Sequence, residues 1–309
     1  MAPHDTSPSD HGVPLLPALV RTMRPHQWAK NLLVFLPMLL AQHADSDRAM
    51  RAALAFASFC ACASAVYVMN DLADVEADRK HPRKRFRPVA TGAVSRSSAV
   101  AMILALLLAA FTLTWSAAPA CVTILAAYVA VNIAYSGFLR AQPLLDVIVL
   151  SAMYGLRLAM GAAATHTPLS PWLLAFALFF FTSLAFAKRY VELRHVEQAE
   201  SGQGACRGYA SGDSAMVAML GVASGYVAVL VLALYMNSAQ MHALYGEGGL
   251  LWGLCPLMMY WISRVWLLAR RGELHDDPVQ FALTDRASLL VGLIATVIMG
   301  LAAWQVPPR

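Results

Sequence analysis

Runs of predominantly apolar residues recur along the whole chain, and nine of them are long enough, or nearly so, to cross a bilayer as a helix. None shows the alternation of polar and apolar residues that is typical of a membrane β-barrel strand. In hydrocarbon every backbone polar group must be bonded within the protein, which a helix achieves by itself. The pattern predicts an all-α fold, a polytopic bundle of nine transmembrane helices. The runs lie at about residues 27–43, 51–70, 97–116, 118–137, 143–163, 170–188, 214–236, 248–268 and 287–305.

The two ends of this pattern differ from the rest of the chain. Residues 1–16 are polar and rich in Pro, Ser and Asp, without a basic region that leads directly into an apolar core, as in a signal peptide. We expect them to form a disordered tail, and residues 17–309 to form a single transmembrane domain. The first apolar run is short and contains Pro37, so we expect it to be kinked or partly interfacial.

Lys and Arg are distributed unevenly between the two ends of the predicted helices. Arg48, Arg51 and Arg309 lie in the loops after helices 1, 3, 5 and 7 or at the C terminus, and Arg157 and Arg264 fall inside apolar runs. The other basic residues lie in the N-terminal segment or in the loops after helices 2, 4, 6 and 8. Because cytoplasmic loops carry the excess of Lys and Arg, we predict a multi-pass protein of the bacterial inner (plasma) membrane with a cytoplasmic N terminus. We expect Arg157 to line a cavity or to pair internally.

Composition agrees with a membrane protein and excludes some other classes. The 309 residues are 59% hydrophobic and 13% charged, whereas about 25% of the residues of a soluble domain are charged. The net charge of +5 is explained by basic loops beside anionic lipid headgroups, so it requires no nucleic acid as a partner. The five cysteines have neither the spacing of a disulfide framework nor that of a zinc site.

The most informative motif lies where the second predicted helix ends. It reads Asn70-Asp71-Leu72-Ala73-Asp74, and Asp78 follows. Asp71, Asp74 and Asp78 have a spacing that places side chains on one face of a helix. Three such carboxylates repel one another unless a cation lies among them, and Mg²⁺ binds carboxylates together with substrate phosphates. The motif therefore predicts a Mg²⁺ site formed by the three aspartates.

A basic segment that contains Lys84 and Arg85 follows the acidic motif at once. Alone, such a segment is typical of a loop that contacts lipid headgroups. Beside a carboxylate-bound metal, the same side chains can bind phosphate oxygens and stabilise a pyrophosphate leaving group. The two motifs together indicate Mg²⁺-dependent chemistry on a pyrophosphate at the cytoplasmic side of the membrane.

The pattern Asn-Asp-x-x-Asp-x-x-x-Asp at the end of a second transmembrane helix resembles the first aspartate-rich motif of the UbiA superfamily of intramembrane prenyltransferases. The resemblance extends over nearly the whole chain from about residue 22. It implies a helical bundle around a central cavity, with a cytoplasmic cap that binds pyrophosphate through Mg²⁺. Most aromatic prenyltransferases of this family carry a second Asp-x-x-x-Asp motif after helix 6. Here that loop reads Lys188-Arg189-Tyr190-Val191-Glu192 and contains no aspartate.

Several cytoplasmic segments are similar instead to the decaprenyl-phosphate phosphoribosyltransferase branch of the family. They are the opening segment around Lys30, the loop from Asp74 to Pro88, and the segment from Lys188 to Leu193; Arg140 stands where lysine is expected. The branch implies transfer of 5-phosphoribosyl from phosphoribosyl pyrophosphate to a decaprenyl-type polyprenyl phosphate, with Mg²⁺ as cofactor and release of pyrophosphate. In that branch the product feeds arabinose donors for cell-envelope polysaccharide.

The motifs and the resemblance together define candidate site residues. Mg²⁺ on the aspartates would make pyrophosphate a better leaving group, and the lipid phosphate, already an anion, would attack without a strong general base. Lys188 and Arg189 are expected to supply cations for the 5-phosphate. For Lys30, Tyr135 and Asp146 the alternative to substrate binding is an interfacial or structural role. The candidate catalytic residues are Asn70, Asp71, Asp74 and Asp78, and the candidate substrate-binding residues are Lys30, Lys84, Arg85, Tyr135, Arg140, Asp146, Lys188, Arg189, Tyr190 and Glu192.

Two other functions remain as alternatives at this stage. A UbiA-type prenyltransferase would move a polyprenyl group from its pyrophosphate to an aromatic acceptor such as 4-hydroxybenzoate, and the missing second aspartate pair counts against it. A transporter is expected to carry charged residues near mid-membrane and to consist of two repeated halves. Here the charged residues cluster at one membrane face. The polyprenyl chain length stays open, and so does the formation of a homo-oligomer.

Overall fold

Helices account for the regular secondary structure that the described residues form, which confirms the all-α prediction. The computed structural model describes residues 15–42, 45–82, 84–198, 207–210, 212–238, 241, 244–245, 248–274 and 278–304. The expected disordered tail falls almost entirely on residues 1–14, which lie outside the described residues. The α-helices are α1 (Leu15–Met23), α2 (Leu36–Leu40), α3 (Ser46–Ala73), α4 (Val75–Lys80), α5 (Pro88–Thr91), α6 (Arg96–Ala117), α7 (Cys121–Gly137), α8 (Leu145–Ala164), α9 (Pro171–Gln198), α10 (Ser214–Met236), α11 (Leu254–Arg271), α12 (Pro278–Thr284) and α13 (Arg286–Trp304).

Seven helices within the described ranges are long and apolar enough to cross a membrane: α3, α6, α8, α9, α10, α11 with the 3-10 turn before it, and α13. Helix α7 is apolar but has 17 residues, so at 1.5 Å per residue it is shorter than a hydrocarbon core of about 30 Å. The predicted count of nine spans is therefore not confirmed. Large exposed apolar side chains cover α6 and α13, as expected where a helix faces lipid in an integral membrane protein.

The first apolar run does not form one regular helix. It consists of a 3-10 segment, Pro25–Phe35, followed by the short helix α2. Pro37 has no N–H to bond to the preceding turn, so a continuous α-helix is disfavoured there. The segment also lies very close to α8, because a Cβ atom at Gly161 would overlap the carbonyl oxygen of Val34. The kink expected at Pro37 appears as this change of helix type.

Close packing of α10 against α9 and α11 depends on two glycines. A Cβ at Gly221 would overlap the ring of Trp266, and a Cβ at Gly225 would come within 2.6 Å of Ile262 and 2.9 Å of Ser183. Small residues four apart on one helix face let neighbouring helices approach in this way. On the other side of the bundle, α3 packs against α6, and α8 joins both groups of helices.

Candidate active site

A polar cavity of about 340 Å³ lies at the end of the bundle where α3, α7 and α9 end and α8 begins. Of the described residues that line it, nine are Lys or Arg, whereas Asp71 and Asp74 are the acidic ones. So large an excess of positive charge in a cleft attracts polyanionic ligands. The basic lining residues are Arg24, Lys30, Lys84, Arg87, Arg140, Arg157, Lys188, Arg189 and Arg207.

The aspartate motif spans a break in the helix. Helix α3 ends at Ala73, Asp74 occupies the junction with φ −94° and ψ 9°, and α4 follows. Asn70, Asp71 and Asp74 line the cavity, whereas Asp78 does not. The spacing of the three aspartates predicts that they share one face of a continuous helix. The structure differs, because the helix breaks at Asp74.

Two arginines neutralise the buried carboxylate of Asp71. Arg24 Nη2 lies 2.5 Å from Oδ1 of Asp71, and Arg87 Nη1 lies 3.0 Å from the same oxygen. Arg87 Nη1 also lies 2.6 Å from Oδ2 of Asp78. Asp71 and Asp78 are both 2% exposed, and buried charges of this kind require a partner. Arg87 therefore links the two buried aspartates.

Arg24 reaches Asp71 from a backbone conformation that is rare for a residue with a side chain. Its φ of 54° and ψ of 60° lie in the left-handed region, directly before Pro25. Its guanidinium lies 5.0 Å from the centre of the Tyr67 ring. Such strain costs on the order of 1–3 kcal/mol and is concentrated at functional sites. Arg24 and Arg87 are absent from the candidates drawn from the sequence, because their contacts with Asp71 become visible only in the fold.

Asp74 lies at the more exposed part of the cavity wall. Its two carboxylate oxygens face Arg140 Nη1 at 3.3 Å and Nη2 at 3.5 Å, and the two side chains are 31% and 45% exposed. An ion pair this open to solvent contributes little to stability. Arg140 follows α7 while Asp74 follows α3, so the pair places two predicted site residues from distant parts of the chain side by side.

Arg189 is the centre of a buried polar cluster. Its Nε lies 2.5 Å from Oδ2 of Asp146, its Nη2 donates to the Tyr135 hydroxyl at 3.0 Å, and its Nη1 donates to Glu192. Arg189 and Asp146 are 1% and 0% exposed. The structure thus brings together four of the predicted substrate-binding residues. These four residues bond mainly to one another, and Asp146 is buried in the protein interior.

Arg207 and Tyr209 complete this cluster from the segment before α10. Tyr209 donates to Oδ1 of Asp146 at 2.9 Å and accepts the N–H of Leu144 at 2.8 Å. Burial and the neighbouring Asp146 carboxylate raise the pKa of Tyr209, while the Leu144 N–H lowers it less, so the hydroxyl stays protonated. Arg207 donates to the Tyr135 hydroxyl at 3.1 Å. Neither residue lies in a recognisable motif, so sequence reasoning missed both.

The remaining predicted residues divide into two groups. Lys30, Lys84 and Lys188 line the cavity. Tyr190 faces away from it and packs edge-on against Trp266, with the ring centres 6.0 Å apart. Arg85 is exposed, and its guanidinium lies 4.8 Å from the centre of the Phe86 ring. The structure therefore gathers most of the predicted cations at one cavity, whereas Arg85 and Tyr190 do not line it.

The donor atoms at the cavity fit a magnesium ion that is shared with a substrate. The described residues hold no group of three or more His, Cys, Asp or Glu side chains that could bind a metal by themselves. Two carboxylates, Asp71 and Asp74, and the Asn70 side chain nevertheless line the same cavity. Mg²⁺ is commonly bound by one or two carboxylates plus substrate phosphates and water. These residues suit such a site better than an all-protein metal cage.

Comparison with known families identifies the fold and the family. The family described as "UbiA prenyltransferase family" matches residues 31–289 of the chain. The chain belongs to the UbiA family. The expectation drawn from the aspartate motif is thus confirmed, and the protein is an integral membrane transferase of this family.

Three relatives of this UbiA-family protein are similar over most of its length. The uncharacterized protein y4nM of Sinorhizobium fredii is 37% identical over 90% of this chain, which spans about half (54%) of y4nM. The nodulation protein NoeC of Azorhizobium caulinodans is 36% identical, over 90% of this chain and 89% of NoeC. A decaprenyl-phosphate phosphoribosyltransferase of Mycobacterium tuberculosis is 31% identical, over 92% of this chain and 94% of that enzyme.

A solved structure confirms the UbiA-like arrangement of helices. A UbiA homologue from Archaeoglobus fulgidus, bound to DMAPP and Mg²⁺, superposes with a TM-score of 0.66 over 94% of this chain and 100% of that chain. The two sequences are 15% identical. At this distance the similarity concerns the fold, and the ligands belong to the archaeal protein.

Proposed function

We propose that this UbiA-family protein transfers the 5-phosphoribosyl group of phosphoribosyl pyrophosphate to a polyprenyl phosphate, with Mg²⁺ as cofactor and release of pyrophosphate. The observation that carries the proposal is the charge of the cavity, where nine Lys or Arg side chains accompany two Asp side chains. The donor carries a phosphate and a pyrophosphate, and the acceptor carries another phosphate. A strongly basic lining stabilises such an accumulation of anionic groups.

The end of α9 supports this reaction over transfer of a prenyl group. Aromatic prenyltransferases of the family use a second aspartate pair there, whereas this segment contributes Lys188 and Arg189 to the cavity. The first acidic residue of this segment, Glu192, accepts a hydrogen bond from Arg189. Basic side chains, and not a second pair of aspartates, therefore face the cavity from this segment. The name of the mycobacterial relative, which describes phosphoribosyl transfer to decaprenyl phosphate, agrees with this reading.

In the proposed reaction, the bond between the anomeric carbon and the pyrophosphate oxygen breaks, and pyrophosphate leaves with the electron pair. An oxygen of the lipid phosphate forms the new bond to the same carbon. That oxygen is already anionic, so the site needs no strong base. Positioning and charge stabilisation then provide most of the rate acceleration. Bound Mg²⁺ would supply neutralising charge to the leaving pyrophosphate.

The contacts around the cavity suggest a role for each candidate group. Asp71 and Asp74 would hold the metal and Asn70 would orient a phosphate oxygen, while Asp78 would act through Arg87, which it contacts at 2.6 Å. The buried cluster of Arg189 would fix the end of α9 and thereby the position of Lys188. The cations proposed to contact substrate phosphates are Lys30, Lys84, Arg140 and Lys188, and the residues proposed to position them are Tyr135, Asp146, Arg189, Tyr190 and Glu192.

The distribution of basic residues supports a location for this site. We infer that the protein lies in the bacterial inner membrane, with its N terminus and the cavity at the cytoplasmic face. Most Lys and Arg side chains outside the apolar runs belong to the N-terminal segment or to the loops after the second, fourth, sixth and eighth of these runs. Such residues are retained in the cytoplasm. A soluble phosphorylated donor would then reach the cavity directly.

The test uses purified protein in lipid with Mg²⁺, a polyprenyl phosphate, and phosphoribosyl pyrophosphate that is labelled in the ribose. Label in the lipid extract is expected with the wild-type protein and not with Asp74→Asn. Asp47→Asn is the matched control, since Asp47 is an exposed aspartate at the other end of α3. If wild type transfers no label but moves a prenyl group from its pyrophosphate to 4-hydroxybenzoate, the proposed function is wrong and prenyl transfer replaces it.

A further inference from the structure

Arg157 carries a positive charge into the membrane-embedded part of the cavity without a carboxylate to balance it. It lies in α8, eleven residues beyond Asp146, so it is about 16 Å farther along the helix axis. Its side chain is 6% exposed, and it lines the cavity. An arginine at such depth costs at least ~2.5 kcal/mol on insertion scales, which is why charged residues there usually serve a function.

The contacts of Arg157 are all with neutral groups. Its Nε donates to Oδ1 of Asn31 at 2.9 Å, its Nη1 to the carbonyl oxygen of Met153 at 2.6 Å, and its Nη2 to the Tyr128 hydroxyl at 3.2 Å. Its guanidinium also lies 5.2–5.4 Å from the ring centres of Phe59, Tyr128 and Tyr154. These contacts hold the guanidinium firmly, but none of them removes its net charge.

The other arginines of the cavity differ from Arg157 in this respect. Arg24 and Arg87 pair with Asp71, Arg140 with Asp74, and Arg189 and Arg207 with Glu192. For Arg157, no carboxylate among the described residues lies within 4.0 Å. Three of the five N–H groups of a guanidinium are bonded, which leaves two for a ligand. A buried, preorganised and uncompensated cation is a binding site for an anion.

We propose that Arg157 binds the 5-phosphate of the phosphoribosyl donor and thereby selects this donor over a prenyl pyrophosphate; the inference rests on the proposed function. The pyrophosphate end of the donor lies at Asp71 and Asp74, near the exposed pair with Arg140. The ribose points inward, and its 5-phosphate meets the guanidinium at the buried end of the cavity. Lys30, which precedes Asn31 in the chain, lines the same cavity and adds to the positive potential there.

The same residue explains why a prenyl group is a poor occupant. A hydrocarbon chain in the inner part of the cavity would shield Arg157 from water and offer it no hydrogen-bond acceptor. Burying a charge without a partner is strongly unfavourable. A phosphate in the same place accepts charge-assisted hydrogen bonds from the two remaining N–H groups. Arg157 is therefore a specificity-determining residue as well as a binding residue.

The test compares two donors with two proteins. The donors are phosphoribosyl pyrophosphate and ribose 1-pyrophosphate, which has a hydroxyl in place of the 5-phosphate; the proteins are wild type and Arg157→Met. Wild type is expected to prefer the phosphorylated donor by about 10- to 100-fold in kcat/KM, the range for hydrogen bonds to charged groups. In Arg157→Met this preference is expected to fall to about one. Loss of packing alone would lower kcat/KM for both donors and keep their ratio.

Two further measurements separate the possible outcomes. Inhibition by inorganic pyrophosphate is expected to be unchanged in Arg157→Met, which also reports that the variant is folded, and Arg157→Lys is expected to keep part of the preference because it retains the charge. The inference is overturned if Arg157→Met keeps the wild-type ratio of kcat/KM between the two donors and is inhibited normally by pyrophosphate. If Arg157→Met does not fold, the same result with Arg157→Lys overturns it. If wild type transfers no phosphoribosyl group at all, the proposed function itself has failed.

Discussion

Arg189 of α9 donates its Nε–H to Asp146 of α8 at 2.5 Å, although the two residues are 43 positions apart in the chain. Both side chains are almost completely buried. Asp146 also accepts from Tyr209, while Arg189 also donates to Tyr135 and Glu192. The pair and its partners therefore connect four parts of the chain at the cavity wall, namely α7, α8, α9 and residues 207–210, and they fix the helix that presents Lys188.

We predict that Asp146→Asn destabilises the protein strongly. The substitution leaves the buried guanidinium of Arg189 without its most buried carboxylate, and breaking a buried pair in this way costs about 3–5 kcal/mol. Glu192→Gln removes the other, partly exposed carboxylate (27% exposed) and is expected to cost less. Thermal unfolding in detergent, followed by tryptophan fluorescence, gives the comparison. Equal stabilities of Asp146→Asn and wild type would show that Asp146 is not the structural partner of Arg189.

The close approach of the first apolar segment to α8 predicts a second effect on stability. Gly161→Ala is expected to lower the unfolding temperature, because the new Cβ would overlap the carbonyl oxygen of Val34, a backbone atom that cannot move alone. Overpacking of this kind costs about 1–3 kcal/mol. Gly155→Ala on the same helix is the matched control, since nothing lies within 4 Å of its Cβ. If both variants unfold at the same temperature, the segment packs less closely than described.

The sequence predicts the helical bundle well because each span is a local feature. Apolar runs and flanking charges are read from neighbouring residues, and the all-α fold follows from them. The number of spans is less predictable. Whether residues 27–43 form a helix depends on Pro37 and on packing against Gly161, which is far away in the chain. The break at Asp74 is similarly invisible in a motif with helical spacing.

The sequence predicts which types of residue form the candidate site better than it predicts the role of each residue. The acidic motif and the basic loops predict the end of α3 at which the cavity lies and most of the cations that line it. The assignment of partners depends on tertiary contacts. Asp146 appears in the sequence as a possible substrate ligand, but the fold buries it against Arg189 and Tyr209. Arg87 and Arg24 become site residues only because distant segments bring them to Asp71.

A pH effect is predicted at the start of α13. Burial would raise the pKa of Asp285, but hydrogen bonds from Arg264 and Ser288 outweigh it and hold this pKa below its ordinary value. Because the pKa is lowered in the folded protein, the stabilisation is fully present above the unfolded value of about 3.9 and is lost as the pH falls through the folded pKa. Arg264 Nη1 lies 2.7 Å from Oδ2 of Asp285.

Unfolding temperatures of wild type and Asp285→Asn, measured from pH 7 down to pH 3, check this effect. The variant is expected to be less stable by a constant amount above about pH 4, and the difference is expected to shrink below it. The opposite trend, a difference that grows as the pH falls, would mean that the carboxylate is not stabilised by Arg264.

The pairing of Asp71 and Asp74 with arginines predicts how the protein binds Mg²⁺. Each carboxylate already has a cationic partner, so the ion alone has little electrostatic gain from binding. Pyrophosphate brings further ligands and gives the arginines an anion to contact. Mg²⁺ alone is therefore expected to leave the unfolding temperature nearly unchanged, whereas Mg²⁺ with pyrophosphate raises it. At a ligand concentration 100 times Kd the stabilisation would be about 2.7 kcal/mol.

Asp74→Asn is expected to lose this joint stabilisation, and EDTA is expected to abolish it in wild type. Asp47→Asn, at the far end of α3, is expected to respond like wild type because Asp47 is exposed and distant from the cavity. The measurement detects binding without turnover, so it tests the metal site independently of the substrate assignment. A full stabilisation by pyrophosphate in the presence of EDTA would mean that the arginines and lysines alone bind the anion and that the aspartates hold no metal.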